Sequence, residues 1–423
     1  MRILIISYNF PPQNKIASHR PYSWARTWST LGHEVHVLTT AKHTFDGALD
    51  LDYDLSGLGI HTAPFLGKDT PTMGVSDSSA RAATARRWEK FKYLTRRLRL
   101  GCGMFADIAS LGYFSLLKTG LTVLRSQEFD FIVSTSPPEV IHFVAHELSV
   151  RTGVPWVADY RDLWFPEMGV HHSRWAATLT GLANRRMLKQ ATVVSTVSQG
   201  LAARLKAFVG REIHVCYNGY FTDADSQGHR PWTDDKIHIA YTGRIYPHKR
   251  DPSMFFKALG QAIASKTDLV DRLVVDIYSN DEPWLNRLIS HSPAASCVRV
   301  HALVPHKTSL AIQQHAAYLL FIDWMDKRAD GILTGKLFEY LASGRPILCV
   351  GNRENSEAAE MIRNTRAGVV LTATHTIRDF LETLPDHLAA GPALRDQIKP
   401  YSREEQAARF LDSMREATGS VSS

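Results

Sequence analysis

Apolar residues in this chain gather in short unbroken runs separated by helically spaced stretches. The first run, "RILIIS" (residues 2–7), shows no alternation, the mark of a strand buried on both faces. A loop with two prolines follows, "YNFPPQNKIASHR" (8–20), then "PYSWARTWSTLG" (21–32), whose apolar spacing predicts a helix ended by Gly32. "HEVHVLTT" (33–40) predicts the next strand. This β-loop-α-β order is the opening of a doubly wound parallel sheet, so the fold class expected is α/β.

The pattern repeats. "FDFIVSTSPP" (129–138), "PWVADYRDLW" (155–164) and "ATVVSTVSQG" (191–200) each predict a strand running into a polar loop. "LAARLKAFVG" (201–210) predicts a helix, and "IHVCYNG" (213–219) closes this half. "FTDADSQGHRPWTDDK" (221–236) is polar and turn-rich and is taken as the linker. A second series begins at "IHIAYTGRIYPHKR" (237–250) and continues through "LVVDIYS", "VRVHALVP", "YLLFIDW", "PILCVG" and "GVVLTA". Two Rossmann-like domains are expected, 1–220 and 221–401. A closing amphipathic helix at 402–418, with Ser402 as its cap and Glu404 and Glu405 in its first turn, returns to the first domain. Ligands of such sheets bind beyond the carboxyl ends of the strands, here in a cleft expected to be faced by both domains.

Composition narrows the class. At 423 residues with 44% hydrophobic and 22% charged residues, the chain suits a water-soluble protein of two domains. No window approaches the roughly 18 apolar residues of a membrane span, and the first strand is wrongly flanked for a signal peptide, so a cytoplasmic location is expected. Cys102, Cys216, Cys297 and Cys349 are scattered, which argues against a disulfide framework or a structural zinc site. Nineteen histidines form no spaced metal site, and the adjacent His171 and His172 cannot point the same way on a strand. The net charge of +7 points to anionic partners without choosing among them.

Two stretches carry the chemistry. In "YTGRIYPHKR", Arg244 and Lys249 follow a strand and can converge on a diphosphate, and Gly243 lets the backbone come close. In "ADGILTGKLFEYLASGRPIL" (329–348), a loop enters a helix near Lys336. Thr334, Gly335, Lys336 and Leu337 stand at that helix start, where free N–H groups favour an anion. Glu339, one turn in, can accept two hydrogen bonds from a ribose diol. Taken alone, Glu339 reads as an ordinary solvated helix residue.

Together, "TGRIYPHK" and, about ninety residues later, "GKLFEYLASGRPIL" resemble the GT-B-fold retaining glycosyltransferases of the glycogen synthase and phosphatidylinositol mannosyltransferase superfamily (family 4-like). "HVCYNGY" and "YSREEQAARFLDSM" extend the resemblance over essentially the whole chain. It implies that Arg244 and Lys249 bind the donor diphosphate and that Glu339 is the second Glu of an E-x7-E motif, on the ribose. The first Glu falls at Gly331, a departure that Asp330 is placed to offset from one residue away. The loop at 8–20 resembles the family's "FPPxxGG" without its glycine pair; Ala17 and Ser18 stand nearby, and Arg20 is expected to face the cleft. The loop between His301 and His306 is implied to contact the nucleobase, with Val304 named for it. The donor expected is a UDP- or GDP-linked sugar, with no cofactor and no metal.

"VADYRDLW" (157–164) supplies the acceptor side. Asp159 or Asp162 is expected to orient the acceptor hydroxyl while the leaving phosphate takes its proton. Arg161 pairs with an acid there, and Ser136 of "STSPPEV" is a further wall residue. The alternative is a structural Arg–Asp pair holding a loop. Residues 81–105 carry eight Lys or Arg between Arg81 and Arg99 against the single acid Glu89. Trp88, Phe91, Leu94 and Leu98 fall at helical spacing, which suits docking on an anionic membrane at the inner face of the cell. No stacking platform accompanies the basic run, so nucleic acid is not expected.

The function expected is sugar transfer from a nucleoside-diphosphate sugar to a glycan or lipid-linked acceptor in cell-envelope polysaccharide or glycoconjugate synthesis, with retention. Two alternatives stand beside it: a GT-B sugar-nucleotide epimerase and a non-catalytic nucleotide-binding scaffold. No G-x-G-x-x-G follows a strand, which argues against an oxidoreductase.

Overall fold

Ile3, Leu4, Ile5 and Ile6 have no exposed surface, as a strand covered on both faces requires. They form β1 (Arg2–Ile6), the centre of a seven-stranded sheet in a computed structural model of the chain. The structure describes residues 1–43, 46–65, 108–163, 174–222, 232–246, 249–280, 282–290, 292–326, 331–384 and 395–419. The expected basic helix at 81–105, His171, His172, Asp330 and most of the expected linker lie outside the described residues.

The first sheet joins β1 to β2 (Glu34–Thr40), β3 (Gly59–Ala63), β4 (Phe131–Ser136), β5 (Trp156–Tyr160), β6 (Val193–Thr196) and β7 (His214–Val215) in the order β3-β2-β1-β4-β5-β6-β7. Every pairing is parallel; Ile3 is paired with Val35 on one side and Phe131 on the other. The strand order reverses between β1 and β4, which opens the crevice where loops can hold a ligand. β3, "GIHTA", was not anticipated, because a half-exposed edge strand carries only a weak apolar signal. Helices α1 (Ile16–Thr30), α2 (Tyr113–Ser126), α3 (Val140–Thr152), α4 (Arg174–Leu188) and α5 (Gln199–Val209) belong to this unit. Helix α1 begins five residues before the expected Pro21, so that proline lies inside it.

The second sheet joins β8 (Ile237–Thr242), β9 (Leu273–Tyr278), β10 (Val298–His301), β11 (Tyr318–Ile322), β12 (Ile347–Val350) and β13 (Gly368–Leu371) in the order β10-β9-β8-β11-β12-β13, again all parallel. Its reversal lies between β8 and β11. The longer helices are α6 (Ser253–Ser265), α7 (Glu282–Ile289), α8 (His306–His315), α9 (Gly335–Ser343), α10 (Glu357–Asn364) and α11 (Thr374–Glu382). The last helix, α12 (Arg403–Ala417), returns to the first sheet's unit. Its buried stripe Ala407, Phe410, Leu411 and Met414 keeps the 3-and-4 spacing of a packed helical face. Trp28 Nε1 donates to Ala407 O at 2.8 Å, and Phe410 packs against Trp24 with ring centroids 5.0 Å apart.

The chain divides into unit 1, Met1–Tyr217 with Arg403–Ser423, and unit 2, Asn218–Ser402. Among the described residues no helix is long and apolar enough to cross a membrane.

Candidate active site

In unit 2 the loops after β8 and β11 meet. Met325 N donates to Lys249 O at 3.0 Å, and Tyr246 stacks parallel to Trp324 at 6.4 Å. Arg244 and Lys249 are both exposed on this rim. Beneath them Arg250, which the sequence reading passed over, is buried against the Trp324 ring at 4.8 Å. Its Nε and Nη2 find no hydrogen-bond partner among the described residues, and neither do Asp323 Oδ2 and Trp324 Nε1. Buried groups left this way are costly unless a ligand completes them. Burial pushes the Arg250 guanidinium below its usual range, with the carboxylate of Asp323 opposing.

Helix α9 starts at Gly335, after Thr334 in extended conformation. A side chain at Gly335 would meet nothing within 4 Å, so the space over this helix start is open. Lys336 lies back over the loop after β8. Its Nζ donates to Tyr241 Oη at 2.5 Å and to Arg244 O at 3.2 Å, and sits 4.0 Å from the Tyr241 ring centroid. Burial, reinforced by the charge of Arg250, holds the Lys336 ammonium well below its ordinary range. A lysine so poised gains from an arriving anion. Leu337, expected among the donor residues, turns inward. Its side chain is fully buried and its N–H is taken by Thr334 O at 3.1 Å, because the apolar stripe of α9 turns it into the core.

Glu339 is held rather than solvated. His306 Nε2 lies 3.1 Å from its Oε1 and Gln313 Nε2 donates to its Oε2 at 3.1 Å. Burial alone would raise this carboxyl, but the His306 and Gln313 hydrogen bonds and the Lys336 charge outweigh it and hold it below the usual range. His306 begins α8, and Val304 stands two residues before it, half-exposed in the loop after β10. His301 is engaged elsewhere, with Nε2 at 2.8 Å from Asp276 Oδ1.

In unit 1 the loops after β1, β4 and β5 meet around Asp159. Arg20 grips it with Nε to Oδ2 at 2.9 Å and Nη2 to Oδ1 at 2.7 Å. Thr135 and Ser195 hydroxyls add bonds of 2.7 and 2.8 Å. Asp159 has no exposed surface and Arg20 only 2%. Burial disfavours the carboxylate, yet the Arg20 charge and these donors keep it below its usual range. Arg20, expected to face a cleft, is buried, and its guanidinium also donates to Tyr217 O at 3.2 Å.

Arg161 is likewise a buried fastener. Its Nε donates to Ser136 O at 3.2 Å, Nη1 to Ala17 O at 3.1 Å, and Nη2 to Pro137 O. The Ala17 bond follows from the sequence, since Pro21 has no N–H to give the carbonyl four residues back. Burial pushes the Arg161 guanidinium down to about 10. Ser136 is buried and donates to Glu139 Oε2 at 2.5 Å. Ser18 is buried with its hydroxyl unpartnered among the described residues. Arg20, Ser136, Asp159 and Arg161 thus make a buried framework at the strand ends. Asp162 alone of the expected pair of acids is exposed. Lys42, not anticipated, is buried just past β2 and donates to Thr39 Oγ1 at 3.0 Å, Thr40 Oγ1 at 3.2 Å and Tyr8 O. Burial pushes its ammonium down to about 7.

Comparison with known proteins bears on the fold. Residues 17–219 match the family model described as "Glycosyl transferase 4-like domain". No curated protein matches the sequence. The HepE protein of Anabaena, solved with UDP, is 12% identical and covers 98% of this chain and 100% of its own, with a TM-score of 0.62. An α,α-trehalose-phosphate synthase (UDP-forming) of Burkholderia vietnamiensis is 11% identical over 98% of this chain and 100% of its own, with a TM-score of 0.55. A Listeria monocytogenes protein described as a UDP-N-acetylglucosamine 2-epimerase is 12% identical over 99% and 97%, with a TM-score of 0.54. At such identities the likeness speaks for the fold, which is that of the GT-B glycosyltransferases. With a glycosyl transferase 4-like domain matched across unit 1, the chain is an enzyme of the glycosyltransferase class.

Proposed function

We propose that the chain moves a sugar from a UDP- or GDP-linked donor to a hydroxyl of a glycan or lipid-linked acceptor, with retention of configuration. The observation that carries the reading is the rim of unit 2, where Lys336, laid over Gly243, donates to the carbonyl of the exposed Arg244 while His306 and Gln313 hold Glu339. The cations neutralise charge as it grows on the leaving diphosphate, which is where a transferase most needs fixed positive groups. Glu339 takes the ribose diol. Arg250, Asp323 and Trp324, with their unfilled hydrogen-bonding groups, take the sugar end of the donor. Asp162 orients the acceptor hydroxyl, whose proton passes to a phosphate oxygen as the new bond forms. Asp159 and Arg20 act at one remove, holding the loops that carry Asp162. HepE was solved with UDP and with UDP-glucose, which supports a uridine donor first.

Epimerisation is the second reading, favoured by the likeness to the Listeria protein. Purified protein incubated with UDP-, GDP-, ADP- and TDP-sugars and a membrane-lipid extract separates the two by mass spectrometry. Nucleoside diphosphate released together with a sugar-shifted lipid is the expected result. An isomerised sugar without transfer would establish the epimerase, and nucleotide binding without turnover under any acceptor would favour the scaffold.

A further inference from the structure

Arg250 is left with one particular edge unbonded. Its Nε and Nη2, the two atoms without a partner among the described residues, are the pair that points side by side from a guanidinium. Arg20 shows what such an edge takes. The same two atoms of Arg20 grip the two oxygens of Asp159 at 2.9 and 2.7 Å, the bidentate match of arginine to a carboxylate. Arg250 is only 3% exposed. A guanidinium stays charged, and a buried charge with no counter-ion bonded to it is costly. Asp323 is the carboxylate whose charge reaches Arg250, yet it does not bond that edge.

Arg250 ends the loop after β8, and Asp323 and Trp324 open the loop after β11; Met325 N donates to Lys249 O at 3.0 Å and ties the two loops. These residues therefore stand at the reversal of the second sheet, beyond the strand ends where such sheets hold ligands. Three N–H donors lack a partner here among the described residues: Arg250 Nε, Arg250 Nη2 and Trp324 Nε1. One acceptor does, Asp323 Oδ2; the other oxygen of that carboxylate takes Trp324 N at 2.8 Å. Donors outnumber acceptors, so the group that completes them is rich in acceptors and still brings a donor. An ionised phosphate brings acceptors and no donor, and the Asp323 carboxylate repels it. A neutral sugar brings a donor with every hydroxyl and no charge for Arg250. A sugar with a carboxylate near a hydroxyl brings both.

We propose that the donor's sugar is acidic, a hexuronate whose carboxylate lies across Nε and Nη2 of Arg250 and whose hydroxyl donates to Asp323 Oδ2, with Trp324 Nε1 donating to the same sugar. All four protein atoms are buried, so the sugar enters as the half-exposed Trp324 ring lifts from the guanidinium 4.8 Å from its centroid. The proposal rests on the sugar-transfer reading and names the class of sugar that it leaves open.

The test is calorimetric titration of the full chain with UDP, UDP-glucose, UDP-glucuronate and UDP-galacturonate, and with GDP, GDP-mannose and GDP-mannuronate. An acidic sugar nucleotide is expected to bind about tenfold or more tightly than its neutral counterpart. Arg250→Gln should remove that preference, and Arg250→Lys, which keeps the charge without the fork, should retain only part of it. Trp324→Phe keeps the ring and loses one donor. It should narrow the preference a few-fold, and it carries the test should the Arg250 variants misfold. Equal binding of acidic and neutral sugar nucleotides overturns the proposal and leaves the transferase reading standing. An Arg250→Gln variant that weakens bare UDP or GDP as much as the acidic sugar nucleotide overturns it too, because the fork then holds the diphosphate. Failure to bind any nucleotide would remove the sugar-transfer reading itself, and this proposal with it.

Discussion

Lys336 lies directly over Gly243. A Cβ built at position 243 would stand 2.6 Å from Lys336 Cε and 3.0 Å from its Nζ. Gly243 also holds φ +110°, a backbone state L side chains rarely adopt. The glycine next to Arg244 therefore makes room for a protein lysine, beyond any room it makes for a phosphate.

Gly243→Ala is expected to displace Lys336 and to weaken nucleoside-diphosphate binding by about 10- to 100-fold, on the scale of one lost charge-assisted contact plus local strain. Calorimetric titration gives the number. In a Lys336→Ala background the same substitution should cost much less; an equal cost in both backgrounds would place the effect in the backbone alone.

Glu339→Ala is expected to cost about 1–3 kcal/mol of ribonucleotide affinity and to remove discrimination between a ribonucleotide and its 2′-deoxy analogue. Titration of both nucleotides against both proteins reads this out. Retained discrimination in the variant would take Glu339 off the ribose.

Breaking the Arg20–Asp159 pair from one side leaves a buried charge without its partner, at about 3–5 kcal/mol. Asp159→Ala and Arg20→Met should each lower the melting temperature by many degrees. The double variant should lose clearly less than the sum of the two. Additive losses in the thermal melts would mean that the two side chains stabilise unit 1 separately.

Acid should loosen unit 1 through His142. Its ring is fully buried, with Nδ1 at 2.8 Å from Ser134 Oγ, and burial pulls its pKa down to about 3. An unfolded histidine titrates near 6.5. Between the two values the unfolded chain binds the proton and the folded one does not. The contribution is therefore fully present above about pH 6.5 and is lost as pH falls toward 3, on the order of 3–5 kcal/mol. His142→Phe should flatten the dependence of melting temperature on pH in that window; an unchanged slope would assign the acid sensitivity to other groups.

The α/β class was legible in the sequence because strands covered on both faces must be apolar at every position; "RILII" and "YLLFI" can hardly be anything else. The helix start at Gly335 and Lys336 after a strand was legible as well; Glu339 was singled out by the family resemblance and not by its spacing. What the linear pattern could not settle was direction and company. Asp159 and Arg161 were open to two readings, acceptor-side residues or a structural pair holding a loop; tertiary packing turned them and Arg20 inward, where Arg20 and Asp159, 139 positions apart, neutralise one another. Arg250 sits beside Lys249 in the chain, yet it is buried against Trp324 while Lys249 is exposed, and no local spacing distinguishes the two. Helix α4 makes the same point: only tertiary packing shows Thr180 and Asn184 buried beside Met187 and Leu188, with Trp175 turned out. Periodicity determines which elements form, because it depends on neighbours in sequence. Burial and pairing depend on neighbours in space, and the tertiary structure alone supplied those.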